Sequence, residues 1–347
     1  SMARIASKAS GVISEDLLEP INREWLRYLE SDSLDSVDEF VTVISACSTL
    51  KHDAKHTSYL RELCMRTLAC GFRLKSIDAN HTVALLCAFK VIVANDNHGV
   101  LCGECEIMRD ALARYDSSAI RGEIIQVVES LRVHERVHSE TVSSLLRLVC
   151  GILWHGRVDD ESFTSAFKTV IHLSNHDPMG QTALRATMKQ VFAQCEGQER
   201  RSVLAIEALR SLDADATLRV ARSGADFIAQ CARDAIKRYY ANEVSSVAME
   251  LVSQSLQLWA SVFVFARDRG AEDFCLTSLA VFLAIAVDVT SPADTTSVAI
   301  DTETGVLASQ LLVTLAAAHA QPFREVVGQL SDESKSRLQR LLNFNKP

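Results

Sequence analysis

The amino-acid sequence predicts an all-α fold of stacked antiparallel helical hairpins, an α-solenoid of about 14 to 17 helices. From residue 14 to residue 344, nearly every window repeats apolar residues at the spacing of an amphipathic helix. No window alternates convincingly with the period of two that a half-buried strand requires. The predicted helices are separated by only about two to seven residues, and such short connections force consecutive helices to lie side by side and antiparallel.

Caps and stop signals bound the helices of the first half. Ser14 begins the first helix, and Asp35 or Ser36 begins the second, which runs through Cys47. Gly71 is predicted to end the third helix, because glycine is the commonest residue just beyond a helix end. The third to eighth predicted helices cover 57–70, 80–93, 101–114, 117–133, 140–154 and 161–173.

In the second half, Pro178 opens a helix that runs towards Cys195, since a proline in the first turn costs no hydrogen bond. Pro322 opens a short helix, and Ser331 caps the last one. The remaining predicted helices cover 200–212, 214–222, 225–241, 244–267, 271–287 and 306–318.

These elements predict four regions along the chain. Residues 1–13 form a disordered N-terminus, and residues 14–287 form the helical-repeat domain. Thr, Ser, Asp and Pro dominate residues 288–305, which are predicted to be a linker or a mobile loop. Residues 306–347 form C-terminal capping helices.

Composition and charge describe an ordered protein without a general affinity for nucleic acid. The 347 residues are 48% hydrophobic and 23% charged, with 13 Gly and 5 Pro, which excludes disordered and collagen-like chains. The net charge is −8, whereas a nucleic-acid surface needs a Lys or Arg for each phosphate that it neutralises. Only a local basic strip remains compatible with RNA binding.

Most of the ten cysteines lie inside apolar helical stretches, so we interpret them as reduced core residues. This places the protein in a reducing intracellular compartment, either the cytoplasm or the mitochondrial matrix. Residues 3–14 carry two basic residues and no acid, which resembles the end of a mitochondrial presequence but is more typical of a frayed N-terminus. The longest apolar run, 274–287, has about 14 residues against the roughly 20 that span a bilayer, so no membrane insertion is expected.

Two resemblances add to these observations. The paired segments 59–68 and 83–92 resemble the helical hairpins of armadillo and HEAT repeats, and this resemblance covers most of the chain. Residues 144–156 with 163–170 are similar to the degenerate helical repeats of organellar RNA-binding proteins of the FAST-kinase and octotricopeptide type. The first resemblance implies an α-solenoid scaffold, and the second implies a role in mitochondrial or plastid RNA processing.

Two motifs have the residue types of a metal site. His134, Glu135 and His138 match the H-E-x-x-H pattern, in which a helix presents both imidazoles to Zn²⁺ and the Glu polarises a bound water. Ser139 resembles the cap of the next helix, which favours a hydrated turn at this motif. Cys102 and Cys105 form a C-x-x-C unit without a second pair at zinc-finger spacing. We therefore expect neither a metal nor another cofactor.

No phosphate-binding glycine loop, dinucleotide fingerprint or nucleophile elbow is present in the sequence, so we expect a protein that is not an enzyme. The most basic region is the candidate RNA contact, with two tyrosines as stacking surfaces. Acidic residues interrupt this region throughout, and interleaved charges of opposite sign usually indicate solvated helix faces with ion pairs. The region comprises Arg185, Lys189, Arg200, Arg201, Arg210, Arg219, Arg222, Arg233, Lys237, Arg238, Tyr239 and Tyr240.

The sequence thus favours a non-enzymatic helical-repeat scaffold that mediates protein–protein interactions within a multiprotein assembly. The alternative is an RNA-binding subunit of a mitochondrial RNA-processing complex, which contacts single-stranded RNA through the basic region. A zinc hydrolase at the H-E-x-x-H motif is the third hypothesis. A docking surface is expected on the second helices of the hairpins.

Overall fold

The structure is a computed structural model, and it describes residues 37–48, 54–94, 102–130, 139–155, 158–177, 179–192, 199–241, 246–290 and 302–343. All regular structure in these ranges is α-helical. The predicted disordered segment 1–13 and the helix predicted from Ser14 lie outside the described residues.

Fifteen helices are described. They are α1 Val37–Ser48, α2 Ala54–Leu74, α3 Ala79–Ala94, α4 Cys102–Arg114, α5 Ser118–Ser130, α6 Ser139–His155, α7 Asp160–Leu173, α8 Gly180–Val191, α9 Glu199–Arg210, α10 Ala214–Tyr240, α11 Ser246–Asp268, α12 Glu272–Val289, α13 Thr302–Ala318, α14 Ala320–Gln329 and α15 Asp332–Asn343.

The chain divides into two compact units, residues 1–180 and 181–347. The sequence analysis placed no boundary at the start of α8. It also separated the last helices from the repeat domain, whereas the structure groups α13, α14 and α15 with the rest of the second unit. The reason is packing, because α13 lies against α11 and α12, and α15 lies against α12 and α13.

The first unit consists of two layers of helices. In one layer α1, α3, α5 and α7 pack in succession, and in the other α2, α4 and α6 do the same. Each helix also contacts its neighbour in the chain, so α2–α3, α4–α5 and α6–α7 form antiparallel hairpins joined by short turns. This arrangement of stacked hairpins confirms the predicted α-solenoid class.

The second unit repeats the two-layer arrangement. One layer contains α9, α11, α13 and α15, and the other contains α10, α12 and α14, with α8 beside α10. The helix α11 lies at the centre, because it packs against α9, α10, α12 and α13. Its Trp259 and Phe263 are fully buried.

By length and composition α11 is also apolar enough to cross a membrane. More than half of its apolar window is buried within the protein, at 56% of that window. This is the environment of a core helix in a helical stack. The absence of membrane insertion stays a prediction.

Gly71, which was predicted to end a helix, and Gly224, which falls between two predicted helices, both lie inside helices. Gly71 is in the last two turns of α2, where a Cβ atom would lie 2.6 Å from Cγ2 of Ile77. Gly224 lies in the middle of α10, which is one helix of 27 residues instead of the predicted pair 214–222 and 225–241. A Cβ atom there would overlap the end of the Met188 side chain of α8. Both glycines permit close packing, and neither ends a helix.

The predicted linker 288–305 is shorter in the structure. The helix α12 continues to Val289, and α13 begins at Thr302. The end of α12 is held by Arg337 of α15, whose Nε donates to Oγ1 of Thr290 at 3.0 Å. Residues 291–301 lie outside the described residues.

Candidate functional site

A polar groove crosses three helices of the same layer in the first unit. It has a volume of about 640 Å³ and lies on α3, α5 and α7, the second helices of three successive hairpins. We call it the acidic groove. It is lined by Lys90, Ser118, Ala119, Gly122, Glu123, Ile125, Gln126, Glu129, Ser130, Asp159, Glu161, Ser162 and Ser165.

Polar contacts hold the walls of the acidic groove together. Nζ of Lys90 on α3 lies 3.2 Å from Oε2 of Glu123 and donates to Oε1 of Gln126 at 2.6 Å, both on α5. Oγ of Ser165 on α7 donates to Oε2 of Glu129 on α5 at 2.7 Å. The three helices are therefore fixed relative to one another at the groove.

The floor of the groove depends on Gly122 and on the start of α7. A Cβ atom at Gly122 would lie 3.2 Å from Oγ of Ser162, so this glycine permits α5 and α7 to approach closely. Asp159 caps α7 and accepts a hydrogen bond from the backbone nitrogen of Ser162 at 2.8 Å. That bond is the main cause that lowers the pKa of Asp159, which keeps this carboxylate charged.

The charge of the acidic groove follows from its lining. Four carboxylates, those of Glu123, Glu129, Asp159 and Glu161, face one cation, Lys90. The groove therefore presents a negative potential to anything that lies across the three helices.

The second unit contains a groove of opposite charge. Two cavities of about 670 Å³ and 390 Å³ share Gln181 and Ser223, and together we call them the basic groove. The larger cavity is lined by Gln181, Thr182, Arg185, Ala186, Lys189, Ser223, Asp226 and Phe227. The smaller, which we call the arginine cavity, is lined by Gln181, Asp215, Leu218, Arg219, Arg222, Ser223, Arg269 and Ala271.

Five basic side chains line the basic groove against two carboxylates. Nη2 of Arg185 lies 2.7 Å from Oδ2 of Asp226, and Nη2 of Arg269 lies 3.2 Å from Oδ2 of Asp215. These pairs neutralise both carboxylates. Lys189, Arg219 and Arg222 then give the groove a net positive charge within a chain whose net charge is −8.

Two arginines of the groove lie over aromatic rings. The guanidinium of Arg185 is 5.0 Å from the ring centroid of Phe227, and that of Arg222 is 5.1 Å from the ring centroid of Phe274. Such a contact restricts the plane of a guanidinium. Arg185 also donates from Nη1 to the carbonyl oxygen of Ser223 at 3.0 Å and from Nη2 to Oδ2 of Asp226 at 2.7 Å, so its position in the groove is fixed.

Arg219 is the least satisfied cation of the arginine cavity. Its Nε and Nη2 atoms are buried, and no described group accepts a hydrogen bond from them. Within the described part of the chain, no carboxylate lies at ion-pairing distance from Arg219. A buried donor without an acceptor costs free energy, and more so when it belongs to a charged group.

Local structure explains how these residues meet. Gly224 allows α8 to approach α10 beside Ser223. Gly270 adopts a left-handed conformation with φ of +66°, which favours glycine, and forms the turn between α11 and α12. The backbone nitrogen of Ala271 donates to the carbonyl of Ala266 at 2.8 Å in this turn. The turn brings Arg269 to the cavity, although it lies far from α8 and α10 in sequence.

Of the predicted RNA contacts, Arg185, Lys189, Arg219 and Arg222 line the basic groove, and the others lie elsewhere on α9 and α10. Several of those others are paired. The nitrogen–oxygen distances are 3.7 Å for Arg200–Glu250, 2.5 Å for Arg233–Asp288, 3.1 Å for Lys237–Asp234 and 2.6 Å for Arg238–Glu199, and Arg210 donates to Gln254.

The remaining predicted contacts are Arg201, which is half-buried on α9, and two tyrosines at the end of α10. The rings of Tyr239 and Tyr240 lie edge to face at 5.9 Å. The hydroxyl of Tyr240 donates to the carbonyl of Val289 at 2.9 Å, so it holds α10 against α12. Its half-buried position raises its pKa to about 12.

In the basic groove, the sequence analysis did not single out Arg269, Asp226 or Gln181, and it missed the acidic groove as a whole. The Arg269–Gly270 pair was a visible turn signal. That Arg269 lies in the same groove as residues of α8 and α10 follows from the tertiary structure alone.

The metal-site candidates fall into two groups. His134, Glu135 and His138 lie outside the described residues. Cys102 begins α4, and Cys105 is buried in the core. Between them Glu104 binds Nε and Nη2 of Arg61 at 2.5 Å and 2.6 Å. Among the described residues, no group of three or more His, Cys, Asp and Glu side chains could hold a metal ion.

The fold is similar to a solved structure described as "Circular tandem repeat protein with novel repeat topology and enhanced subunit contact surfaces". The two chains are 13% identical, the match covers 95% of this chain and 91% of the other, and the TM-score is 0.51. Identity this low shows a likeness of fold alone. No protein-family model matches the chain, and no curated protein matches it. The predicted α-helical repeat class is confirmed at the level of fold.

Proposed function

We propose that this helical-repeat chain is a non-enzymatic scaffold that holds a partner protein in the acidic groove. The observation that carries the proposal is that the groove runs across three successive helices of one layer. Helical-repeat proteins bind extended partners along such surfaces, because each repeat adds another set of contacts. The sequence analysis expected docking on the second helices of the hairpins, and the position of the groove supports that expectation.

The partner is a protein with an extended segment rich in Lys and Arg. Packed helices lie about 8 to 10 Å apart, so three of them span roughly 20 Å, or about six extended residues. Four carboxylates against one lysine favour a cationic segment and disfavour an anionic one. Five buried thiols, those of Cys64, Cys105, Cys150, Cys231 and Cys275, support action in a reducing compartment, the cytoplasm or the mitochondrial matrix.

Affinity purification of the tagged chain from its own cells, after nuclease treatment, tests this proposal. We expect a protein to co-purify in a fixed stoichiometry and its yield to fall at least tenfold in the Glu129→Lys/Glu161→Lys variant. Glu272→Lys/Asp273→Lys, which makes the same charge change on an exposed turn of α12, is the control and should keep the yield. Equal yields from both variants, or a chain that purifies alone, would contradict the proposal.

A second function, the binding of single-stranded RNA, is favoured by the basic groove. Five cations along α8, α10 and the α11–α12 turn face two carboxylates, which are already paired. Such a positive groove can follow a phosphate backbone even in a protein of negative net charge. In this case the chain would serve an RNA-processing assembly.

The affinity for mixed-sequence single-stranded RNA, measured over a salt series, tests the second function. Binding should weaken as salt rises, and Arg185→Gln/Lys189→Gln should lower the slope of log K against log salt by about 1 to 1.5. Arg233→Gln/Lys237→Gln removes two cations of α10 outside the groove and should leave the slope unchanged. No binding at low salt would exclude RNA as a ligand.

A further inference from the structure

We propose that the arginine cavity binds a terminal phosphate monoester of a single-stranded RNA, whose chain continues through the larger cavity of the basic groove. The inference deepens the RNA-binding function and rests on it.

Arg219, which lines the arginine cavity, has two buried donors without a described acceptor. Nε and Nη2 are the two parallel donors with which a guanidinium binds both oxygens of one anion. Arg61 of the same chain uses these two atoms to bind Glu104, at 2.5 Å and 2.6 Å. In Arg219 the same two donors are buried at a cavity and have no described acceptor. Because these two nitrogens have almost no accessible surface, the Arg219 guanidinium must turn towards the cavity for an oxyanion there to accept hydrogen bonds from both.

The side chains that line the arginine cavity carry an excess of positive charge. Arg219, Arg222 and Arg269 line the cavity together with one carboxylate, Asp215, which leaves two positive charges uncompensated. A phosphate monoester carries about 1.5 to 2 negative charges at pH 7, whereas the internal phosphodiester of a nucleic acid carries one. The end of a strand therefore matches the charge of the cavity more closely than its interior does.

The arginine cavity is continuous with the larger cavity of the basic groove. Gln181 and Ser223 line both cavities, so a ligand held at Arg219 can extend into the larger one. There Lys189 is exposed, and the guanidinium carbon of Arg185 lies over the Phe227 ring, 5.0 Å from its centroid. A lysine can pair with the next phosphate, and a base can stack on an exposed guanidinium plane. These features favour a polyanionic chain over a small free anion.

The test compares three ligands by fluorescence anisotropy at fixed salt. They are an RNA of about ten nucleotides with a 5′-phosphate, the same RNA with a 5′-hydroxyl, and the same RNA with a 3′-phosphate. We expect one of the two phosphorylated ends to bind about tenfold more tightly than the RNA without a terminal phosphate. Adenosine monophosphate as a competitor should displace the RNA only weakly.

The key variant is Arg219→Gln, which should abolish the preference for the phosphorylated end. Arg219→Lys should also lose it, because an ammonium keeps the charge but cannot offer two parallel donors. Arg222→Gln should also lose the preference for the phosphorylated end. Because Arg222 is exposed, this variant does not alter the buried part of the cavity. Arg233→Gln, whose partner Asp288 lies outside the groove, should retain the full preference.

The outcomes separate the inference from the function on which it rests. Equal binding of all three RNAs by the wild-type protein would overturn the inference and leave RNA binding in place. No binding of any RNA would overturn both. Displacement of the RNA by adenosine monophosphate at equal concentration would overturn the assignment to a strand end, because the cavity would then be a site for a free mononucleotide.

Discussion

Single ion pairs connect neighbouring helices in both units, and the most buried of those described joins α2 to α4. The side chains of Arg61 and Glu104 are each only 6% exposed, and two hydrogen bonds hold them together. Breaking a buried pair by removing one partner leaves an uncompensated charge in the core.

Glu104→Gln should destabilise the protein by about 3 to 5 kcal/mol, because Arg61 would keep its charge but lose the carboxylate that Nε and Nη2 bind. The free energy of unfolding in urea measures this effect. Glu106→Gln, at an exposed position of the same helix, is the control and should change stability by less than about 0.5 kcal/mol. If the double variant Arg61→Met/Glu104→Leu proved no more stable than Glu104→Gln, the explanation by an uncompensated charge would be wrong.

Tyr240 makes stability depend on pH in the alkaline range. Burial is the main cause that raises its pKa to about 12, against about 10 for a tyrosine in an unfolded chain. The folded state therefore holds the phenolic proton more tightly than the unfolded state does. This contribution to stability is complete below pH 10 and is lost as the pH rises towards 12.

Between pH 9.5 and 11.5, Tyr240→Phe should lose less stability with rising pH than the wild-type protein does, because it has no phenol to ionise. Urea unfolding followed by circular dichroism at several pH values measures the difference. Tyr59→Phe removes an exposed phenol and should keep the wild-type slope. If the free energy of unfolding fell with pH to the same extent in the wild-type and Tyr240→Phe proteins, the attribution of this pH dependence to Tyr240 would be refuted.

At the scale of elements, glycines decide how closely helices and turns approach. Gly180 begins α8, and its backbone nitrogen donates to the carbonyl of Asp177 at 2.9 Å. A Cβ atom there would overlap the backbone carbonyl of Ser174, which cannot move as a side chain could. At Gly151 in α6, by contrast, a Cβ atom would meet nothing within 4 Å.

Gly180→Ala should destabilise the protein by about 2 kcal/mol or more, since the turn before α8 must shift to admit the methyl group. Gly151→Ala should stabilise it by up to about 1 kcal/mol, because alanine favours a helix interior more than glycine does. Thermal unfolding of the two variants tests both predictions, because the melting temperature should fall in Gly180→Ala and rise in Gly151→Ala. Similar melting temperatures for them would show that the turn accommodates a side chain.

At the scale of the whole molecule, the layered arrangement makes each helix depend on its neighbours. In the second unit α11 has neighbours on four sides, whereas α15 packs against α12 and α13 at the end of the chain. Stability in helical-repeat proteins is approximately a sum over such neighbour contacts. The amides of the central helix should therefore open least often.

Hydrogen exchange measured by mass spectrometry should accordingly be slowest in α11 among the described helices of the second unit and much faster in α15. The difference in protection should reach at least about tenfold, which corresponds to roughly 1.4 kcal/mol of opening free energy. Uniform exchange over the second unit would mean that it opens as one cooperative block.

The sequence by itself determined the fold class and most helix limits, because apolar periodicity and caps are local properties of the chain. The predicted cap of the last helix is an example, since Oγ of Ser331 accepts from the nitrogen of Ser334 at 3.2 Å. The sequence also placed Arg219 and Arg222 in a candidate basic region, but it could not separate them from Arg233.

Only the tertiary structure decided which of these cations are neutralised, because their partners are distant in sequence. Arg233 meets Asp288, 55 residues away, whereas no described carboxylate reaches Arg219. The same holds for Gly224, whose role as a close contact with Met188 is invisible without the neighbouring helix. Local patterns determine helices, and long-range contacts determine which charges and surfaces remain for a ligand.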